Sequence, residues 1–320
     1  MSSVVVIGAG AWGTALAIQA ARAGNDVTLW ARDPARAQAI AVSRENPRLP
    51  GQRLPDAIRI VDALPATADV VLLVVPMQHL RSVLERLPTP AAPLVVCIKG
   101  VETGTLRLPL EVVAELRPDA SMAVLTGPNF AHEIAAGLPA ASVVAAADPV
   151  VRDRLTALLA TPSFRLYGND DPVGAQVGGA AKNVIAIAAG AVIGAGLGEN
   201  ARAGLITRGL AELARLAVVL GGRSDTVMGL SGLGDLLLTC TGPASRNFSL
   251  GLALGRGELL ADVLAARSAV TEGVATAPAL VARAAGVDMP ICTAVAELLA
   301  GRTTLVEAIT QLLARPRRDE

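Results

Sequence analysis

Lysine is nearly missing from this chain. Of its 28 basic residues only Lys99 and Lys182 are lysines, and the others are arginines. Arginine stays protonated near neutral pH, whereas a lysine ammonium can be tuned by burial and neighbours to release and recover a proton. Two lysines kept in an arginine background are therefore candidates for acid–base or anion chemistry. Other scarcities exclude whole classes of function. The three cysteines, Cys97, Cys240 and Cys292, are an odd number with no CxxC spacing. That excludes a disulfide framework and points to reduced thiols in a cytoplasmic protein. The two histidines, His79 and His132, are too few and too separated for a metal site, so no metal is expected. Formal charge sums to zero, and the tail Arg315-Pro316-Arg317-Arg318 reads as a solvated terminus, so no nucleic-acid partner is expected.

Aromatic residues make up only 2 % of the chain against 52 % hydrophobic, so the core must be built from Ala, Val, Leu and Gly. The most membrane-like run, Val184 to Gly198, spans 15 residues, short of the ~20 needed to cross a bilayer. It reads as a buried helix, and no membrane span is expected. The N-terminal Met1-Ser2-Ser3-Val4 has no charged region and runs straight into a strand, so no signal peptide is expected.

What is present is an alternation of short apolar strands and helical stretches through the first half. Val4–Ile7, Val27–Trp30, Val70–Val75, Leu94–Ile98, Met122–Leu125 and Ser142–Ala146 read as strands of a parallel sheet covered on both faces. Helical stretches such as Ala11–Ala23, Met77–Leu87 and Phe130–Ala136 lie between them. From about Pro172 the strand signal stops and helices separated by Gly-rich turns take over. The expected fold is α/β: a Rossmann-like doubly wound sheet over residues 1–170, then an all-helical domain over 171–320.

Gly8-Ala9-Gly10-Ala11-Trp12-Gly13 follows the first strand directly and opens a helix. In this setting the spacing predicts a dinucleotide site. Gly8 permits the tight turn, Gly10 lets backbone approach the pyrophosphate, and Gly13 lets helix pack on strand. The helix start supplies N–H donors to phosphate. No acid ends the second strand to hold a ribose 2′-hydroxyl, and Arg32 follows it. A guanidinium there suits a 2′-phosphate, favouring NADPH, while neighbouring Asp33 leaves room for NADH.

Lys99 follows the strand Leu94–Ile98, at the carboxyl edge where ligands of open α/β sheets lie, and suits an anionic substrate. Lys182 is the only charge between Pro172 and Gly198, in an otherwise apolar helix. Such a charge must be paired or line a cavity. Gly178 and Gly179, one turn earlier, allow close approach of a ligand or another backbone. Asp235 is isolated between a Gly-rich turn and an apolar helix, and reads equally as an N-cap, a partner for a substrate hydroxyl, or an orienter of a lysine. Ser245-Arg246-Asn247 at a helix start forms a phosphate cradle in which Arg246 can bind as a fork.

Taken together these segments resemble the bacterial-type NAD(P)-dependent glycerol-3-phosphate dehydrogenases along nearly the whole chain. The resemblance rests on Gly8 to Leu16, Lys99-Gly100, Gly127-Pro128-Asn129-Phe130-Ala131, Ala181-Lys182-Asn183-Val184 and Leu205-Ile206-Thr207-Arg208-Gly209. It continues through Gly234-Asp235-Leu236, Ser245-Arg246-Asn247 and Thr271-Glu272-Gly273. It implies that Lys182 donates and accepts the proton. It further implies that Lys99, Gly127, Asn129, Asp235, Ser245, Arg246 and Asn247 contact substrate. Ala11, Trp12, Arg32, Lys99, Ala131, Arg246, Val270 and Glu272 would contact the cofactor. Ala11 and Asn129 stand where the family pattern has a small hydroxyl residue.

The activity so implied is reversible reduction of dihydroxyacetone phosphate to sn-glycerol 3-phosphate, supplying glycerophospholipid synthesis, with a homodimer through the helical half. Hydride arrival turns the carbonyl into an alkoxide that needs a proton, and Lys182 is expected to supply it, its pKa lowered by burial with Lys99 near. Because substrate residues come from both halves, the active site is expected in a cleft between domains. Two other readings stay open: a related reductase of a hydroxy or keto acid, and a non-catalytic NADPH-binding sensor. The sensor has no need of isolated charges such as Lys182 and Asp235.

Overall fold

The structure, a computed structural model, describes residues 1–88, 92–267 and 270–316. Arg317 and Arg318 of the basic tail lie outside the described residues. The valine- and leucine-rich runs of the first half form eight strands: β1 (Ser3–Ile7), β2 (Asp26–Trp30), β3 (Arg59–Val61), β4 (Val70–Leu73), β5 (Leu94–Val96), β6 (Met122–Thr126), β7 (Ala140–Ala145) and β8 (Phe164–Asn169). They build one sheet in the order β3-β2-β1-β4-β5-β6-β7-β8. The reversal of direction after β1 is the doubly wound arrangement.

Two strands go beyond the sequence expectation, and both are edges. β3 is three residues long, beginning at an exposed arginine, and β8 alternates buried and exposed positions at its start. Neither carries the continuous apolar run of a strand buried on both faces. The sheet is parallel except at one seam, where β7 runs antiparallel to β6 and β8 then follows β7 in parallel.

Among the described residues six α-helices accompany this sheet: α1 (Ala11–Arg22), α2 (Pro34–Ser43), α3 (Leu80–Arg86), α4 (Pro109–Leu116), α5 (Ala131–Ala136) and α6 (Pro149–Leu159). Ala15, Leu16, Ala17 and Ala20 of α1 are buried in a core with Val4, Val6, Leu29 and Leu72. Small side chains let α1 lie close to the strands. Leaving such a core exposed would cost about 25 cal/mol for each Å² of apolar surface.

The remaining chain is helical: α7 (Pro172–Gly194), α8 (Gly198–Val219), α9 (Ser224–Met228), α10 (Asp235–Cys240), α11 (Arg246–Gly255), α12 (Leu260–Ala265), α13 (Glu272–Arg283), α14 (Pro290–Leu299) and α15 (Leu305–Leu313). A π-helical turn, Leu230–Gly234, leads into α10. The chain divides into two compact units, Met1–Lys99 with Arg107–Gln176, and Gly100–Leu106 with Val177–Glu320.

Glycine explains how the helical unit packs with Phe248 as its one aromatic residue. A Cβ on Gly190 or Gly194 of α7 would collide with the carbonyl oxygens of Phe248 or Leu252, and one on Gly251 or Gly255 of α11 with those of Ile187 or Ala191. The two helices therefore meet backbone to backbone, through glycines spaced four apart on each. This resembles the close approach of small-xxx-small pairs.

The buried helix expected over the membrane-like run is longer than the run itself suggested. The helix that holds most of it, α7, begins at Pro172, ends at Gly194 and has 23 residues, long and apolar enough to cross a bilayer. However, 89 % of its most apolar window is buried within the fold, which marks α7 as a core helix.

Candidate active site

In the first unit, backbone geometry at the β1–α1 turn demands the glycines. Gly8 has φ +120°, and a Cβ there would press on the Val74 carbonyl oxygen at 2.8 Å. A Cβ on Gly13 would overlap the Gly8 carbonyl oxygen. Gly10 differs: a Cβ there would meet nothing within 4 Å, so its absence leaves a cradle over the turn. Gly10 is the N-cap of α1 and no side chain caps that helix. Ala11 and Trp12 form the first turn. An open approach over uncapped helix N–H groups fits a pyrophosphate.

Arg32 is exposed just beyond β2. Asp33 beside it caps α2, one carboxylate oxygen accepting from the Ala35 N–H at 3.0 Å. The acid that kept NADH open in the sequence thus has a helix-capping job.

Sheet topology gathers a second group at the carboxyl edges of β5 and β6. Lys99 Nζ donates to the Gly127 carbonyl oxygen at 3.3 Å. Gly127 has φ +144° and lies against Ser142. Asn129 Nδ2 donates to Ser142 Oγ at 2.5 Å, while its Oδ1 is buried and makes no hydrogen bond to protein. The amide nitrogen of Asn129 is thus anchored and its acceptor oxygen is left over. Ala131 follows as the first residue of α5.

In the second unit, packing brings the isolated charges together. Gly178 of α7 abuts Ser231 and Gly232 in the π-helical turn, and the same close packing carries Lys182, one turn on, to the start of α10. Lys182 is 7 % exposed and Asp235 is 0 % exposed. The Nζ donates to Asp235 Oδ1 and, at 2.8 Å, to Thr239 Oγ1. Thr239 in turn donates to the Asp235 main-chain oxygen at 2.6 Å. Of the three readings open for Asp235, the N-cap position of α10 belongs to Gly234, and the carboxylate is paired with Lys182. Thr239 escaped the sequence reading, because a threonine inside a short apolar helix carries no distinctive signal. Its spacing from Asp235, one helical turn, is the clue.

Ser245 caps α11 by accepting from the Phe248 N–H at 3.2 Å, and Asn247 Oδ1 accepts from the Gly273 N–H at 3.0 Å. Arg246 Nη1 donates to the Val270 carbonyl oxygen at 2.7 Å, which joins two expected cofactor contacts, and Glu272 opens α13 nearby in sequence. A residue not singled out in the sequence, Arg267, donates to the Arg246 carbonyl oxygen at 2.7 Å and to Ser249 Oγ at 3.1 Å. Burial, and then the positive charge of Arg246, lower the pKa of Arg267. Burial pushes the Cys240 thiol, close to Lys182 and Asp235, up to about 12, so it is held as an inert neutral thiol. Among the described residues no group of three or more His, Cys, Asp or Glu is placed to hold a metal ion.

Comparison with known proteins bears on the whole chain. Models of the N-terminal and C-terminal parts of NAD-dependent glycerol-3-phosphate dehydrogenase match residues 3–151 and 171–310. The chain is 55 % identical over 318 residues to glycerol-3-phosphate dehydrogenase [NAD(P)+] of Gluconobacter oxydans and 58 % identical over 317 residues to that of Acidiphilium cryptum. Each match covers 98 % of this chain and 97 % of the relative. Among solved structures, glycerol-3-phosphate dehydrogenase from Coxiella burnetii superposes with a TM-score of 0.93 at 36 % identity, covering 98 % of this chain and 99 % of that one.

Proposed function

The chain belongs to the NAD-dependent glycerol-3-phosphate dehydrogenase family, and from that premise we propose that it interconverts dihydroxyacetone phosphate and sn-glycerol 3-phosphate with a nicotinamide cofactor. The observation that carries the chemistry is the buried Lys182–Asp235–Thr239 cluster. A bound nicotinamide would supply the hydride that the substrate carbonyl carbon takes up. Lys182 Nζ gives a proton to the oxygen that becomes negative, and recovers one from solvent afterwards. Asp235 balances the ammonium where water is excluded, and Thr239 fixes the direction in which Nζ points. An arginine would balance charge equally well but could not surrender the proton.

We assign Lys99, Gly127 and Asn129 of the first unit and Ser245, Arg246 and Asn247 of the second to substrate. The leftover Asn129 Oδ1 supports a hydrogen bond from a substrate hydroxyl, and Arg246 at the start of α11 supports phosphate binding. Phosphate binding far from the reacting carbon supplies energy for positioning it. Gly8, Gly10, Ala11, Trp12 and Gly13 hold the pyrophosphate end. Ala131, Val270, Glu272, and Lys99 and Arg246 again, complete the cofactor set. We further propose NADPH as the preferred cofactor: Arg32 is exposed just beyond β2, and one carboxylate oxygen of Asp33 is engaged in capping α2. A cytoplasmic homodimer completes the reading, supported by the exposed Val218 and Val219 of α8.

A keto-acid reductase or a silent cofactor sensor is not favoured, since relatives matched over 97 % of their length are named glycerol-3-phosphate dehydrogenase [NAD(P)+]. Following nicotinamide absorbance with dihydroxyacetone phosphate, and with a panel of 2-keto and 3-keto acids, tests the proposal. Turnover of the phosphate substrate, lost by at least 100-fold in a folded Lys182→Arg variant, is expected. Preference for a keto acid, or near-normal turnover by Lys182→Arg, would refute it.

A further inference from the structure

One carbonyl of the glycine turn is gripped from outside the turn. Ala9, between Gly8 and Gly10, accepts at its carbonyl oxygen from Asn46 Nδ2 at 3.1 Å and from the Arg36 guanidinium. Asn46 follows α2 and is 1 % exposed. Its Nδ2 also donates to Thr14 Oγ1 at 2.6 Å. Its Oδ1 accepts from Arg36 Nη2 at 3.0 Å and from the Arg48 N–H at 3.1 Å. Two donors and two acceptor positions are thus all used, which is the full capacity of an amide side chain. The saturation also sets its orientation: turned over, the amide would place Oδ1 against the Ala9 carbonyl oxygen.

The consequence is geometric. A trans peptide directs its C=O and the following N–H oppositely, so holding the Ala9 oxygen sets the Gly10 N–H and the entry into α1. Glycine has no conformational preference strong enough to do this alone. Arg36 is partly buried, and desolvation followed by the charge of Arg48 lowers its pKa, with Asp33 opposing. A partly desolvated guanidinium gains most from the carbonyl acceptors that Asn46 arranges around it.

We propose that Asn46, together with Arg36, is a positioning element that sets the glycine turn for the pyrophosphate shared by NADH and NADPH. The proposal rests on reading this turn as the nicotinamide-cofactor site. Because the clamp acts on the turn rather than on the ribose, it weakens both cofactors alike when broken. Arg32, by contrast, is assigned to the 2′-phosphate.

The test is direct titration of the full-length protein with NADPH and with NADH, followed by steady-state kinetics. Asn46→Ala and Arg36→Met are each expected to raise both dissociation constants by about tenfold, of the order set by losing one charge-assisted hydrogen bond. The loss should appear in KM for cofactor more than in kcat, with KM for dihydroxyacetone phosphate nearly constant. Arg36→Lys, which can still donate to the Ala9 oxygen, should recover most of the affinity. Arg36 is partly exposed, so Arg36→Met serves even where Asn46→Ala fails to fold. Unchanged affinities would overturn the proposal. A loss confined to NADPH in Arg36→Met would make Arg36 a 2′-phosphate contact and overturn it equally. Wild-type protein that binds neither cofactor would instead overturn the cofactor reading itself.

Discussion

Replacing Asp235 by asparagine probes the centre of the site with almost no change of shape. The carboxylate is fully buried and is the counter-charge of an ammonium that is itself 7 % exposed. Removing one partner of a buried ion pair costs roughly 3–5 kcal/mol, since the other charge is left uncompensated. For a unit of about 150 residues this corresponds to a fall in melting temperature of about 6–20 °C. Activity suffers separately: an uncompensated buried ammonium neutralises rather than stay charged, so it no longer brings a proton to the substrate oxygen. A kcat loss of about 100-fold or more is expected. Scanning calorimetry and nicotinamide absorbance measure the two effects, and the double variant Lys182→Met/Asp235→Leu separates them. With both charges gone the double variant should recover stability to within ~1 kcal/mol of wild type or exceed it, while remaining inactive. An Asp235→Asn protein within about 2 °C in melting temperature and threefold in kcat of wild type would show that the ion pair neither holds the fold nor orients the proton.

Three more perturbations test other links of the argument. Arg32→Ser should weaken NADPH by about tenfold and leave NADH nearly unaffected in fluorescence titrations; equal losses would remove the case for a 2′-phosphate contact. Gly251→Ala drives a methyl group into the Ile187 carbonyl oxygen, and a loss of about 1–3 kcal/mol in urea unfolding is expected from overpacking. Glu212 of α8 is 1 % exposed and accepts from the Ile291 and Cys292 N–H groups at the start of α14, at 2.6 and 3.1 Å. Burial raises its pKa, against the pull of those N–H groups and of Arg215. A raised native pKa means that its contribution is fully present below the ordinary carboxylate range and declines as pH climbs through the raised value. Glu212→Gln should therefore gain on wild type as pH rises from about 4 to 8, and urea midpoints that move in parallel across that range would contradict the sign.

How much of this was legible in the sequence differs by element. The nucleotide turn was readable because an apolar strand, three glycines and a helix lie contiguous in the chain. Lys182 was readable because one charge in a long apolar segment has a desolvation cost that must be met somewhere. Its partner was only one of several readings, since fifty-three positions separate the two and nothing local brings α7 to α10. Thr239 and Asn46 were missed for one physical reason: each looks like an ordinary residue of its own segment, and its role exists only across a tertiary contact. The edge strands β3 and β8 lack the continuous apolar pattern that reports burial on two faces. The direction of β7 is a property of the chain path, which side-chain periodicity does not encode. The Gly-rich stretch 229–234 reads as a loop by composition, yet it forms the π-helical turn leading into α10.

The glycine seam between α7 and α11 has a consequence for how this enzyme can vary. Most cores separate their helices by a layer of side chains, and exchanging those side chains shifts the helices by fractions of an ångström. Here main chain rests on main chain at Gly190, Gly194, Gly251 and Gly255, so that adjustable layer does not exist. The seam ties the helix that carries Lys182 to the helix that begins at Arg246, so the spacing between the proposed proton donor and the proposed phosphate anchor rests on main-chain contact. Such a gauge has one setting. Variation in specificity must then come from residues projecting into the site, such as Asn129, and not from repacking beneath it.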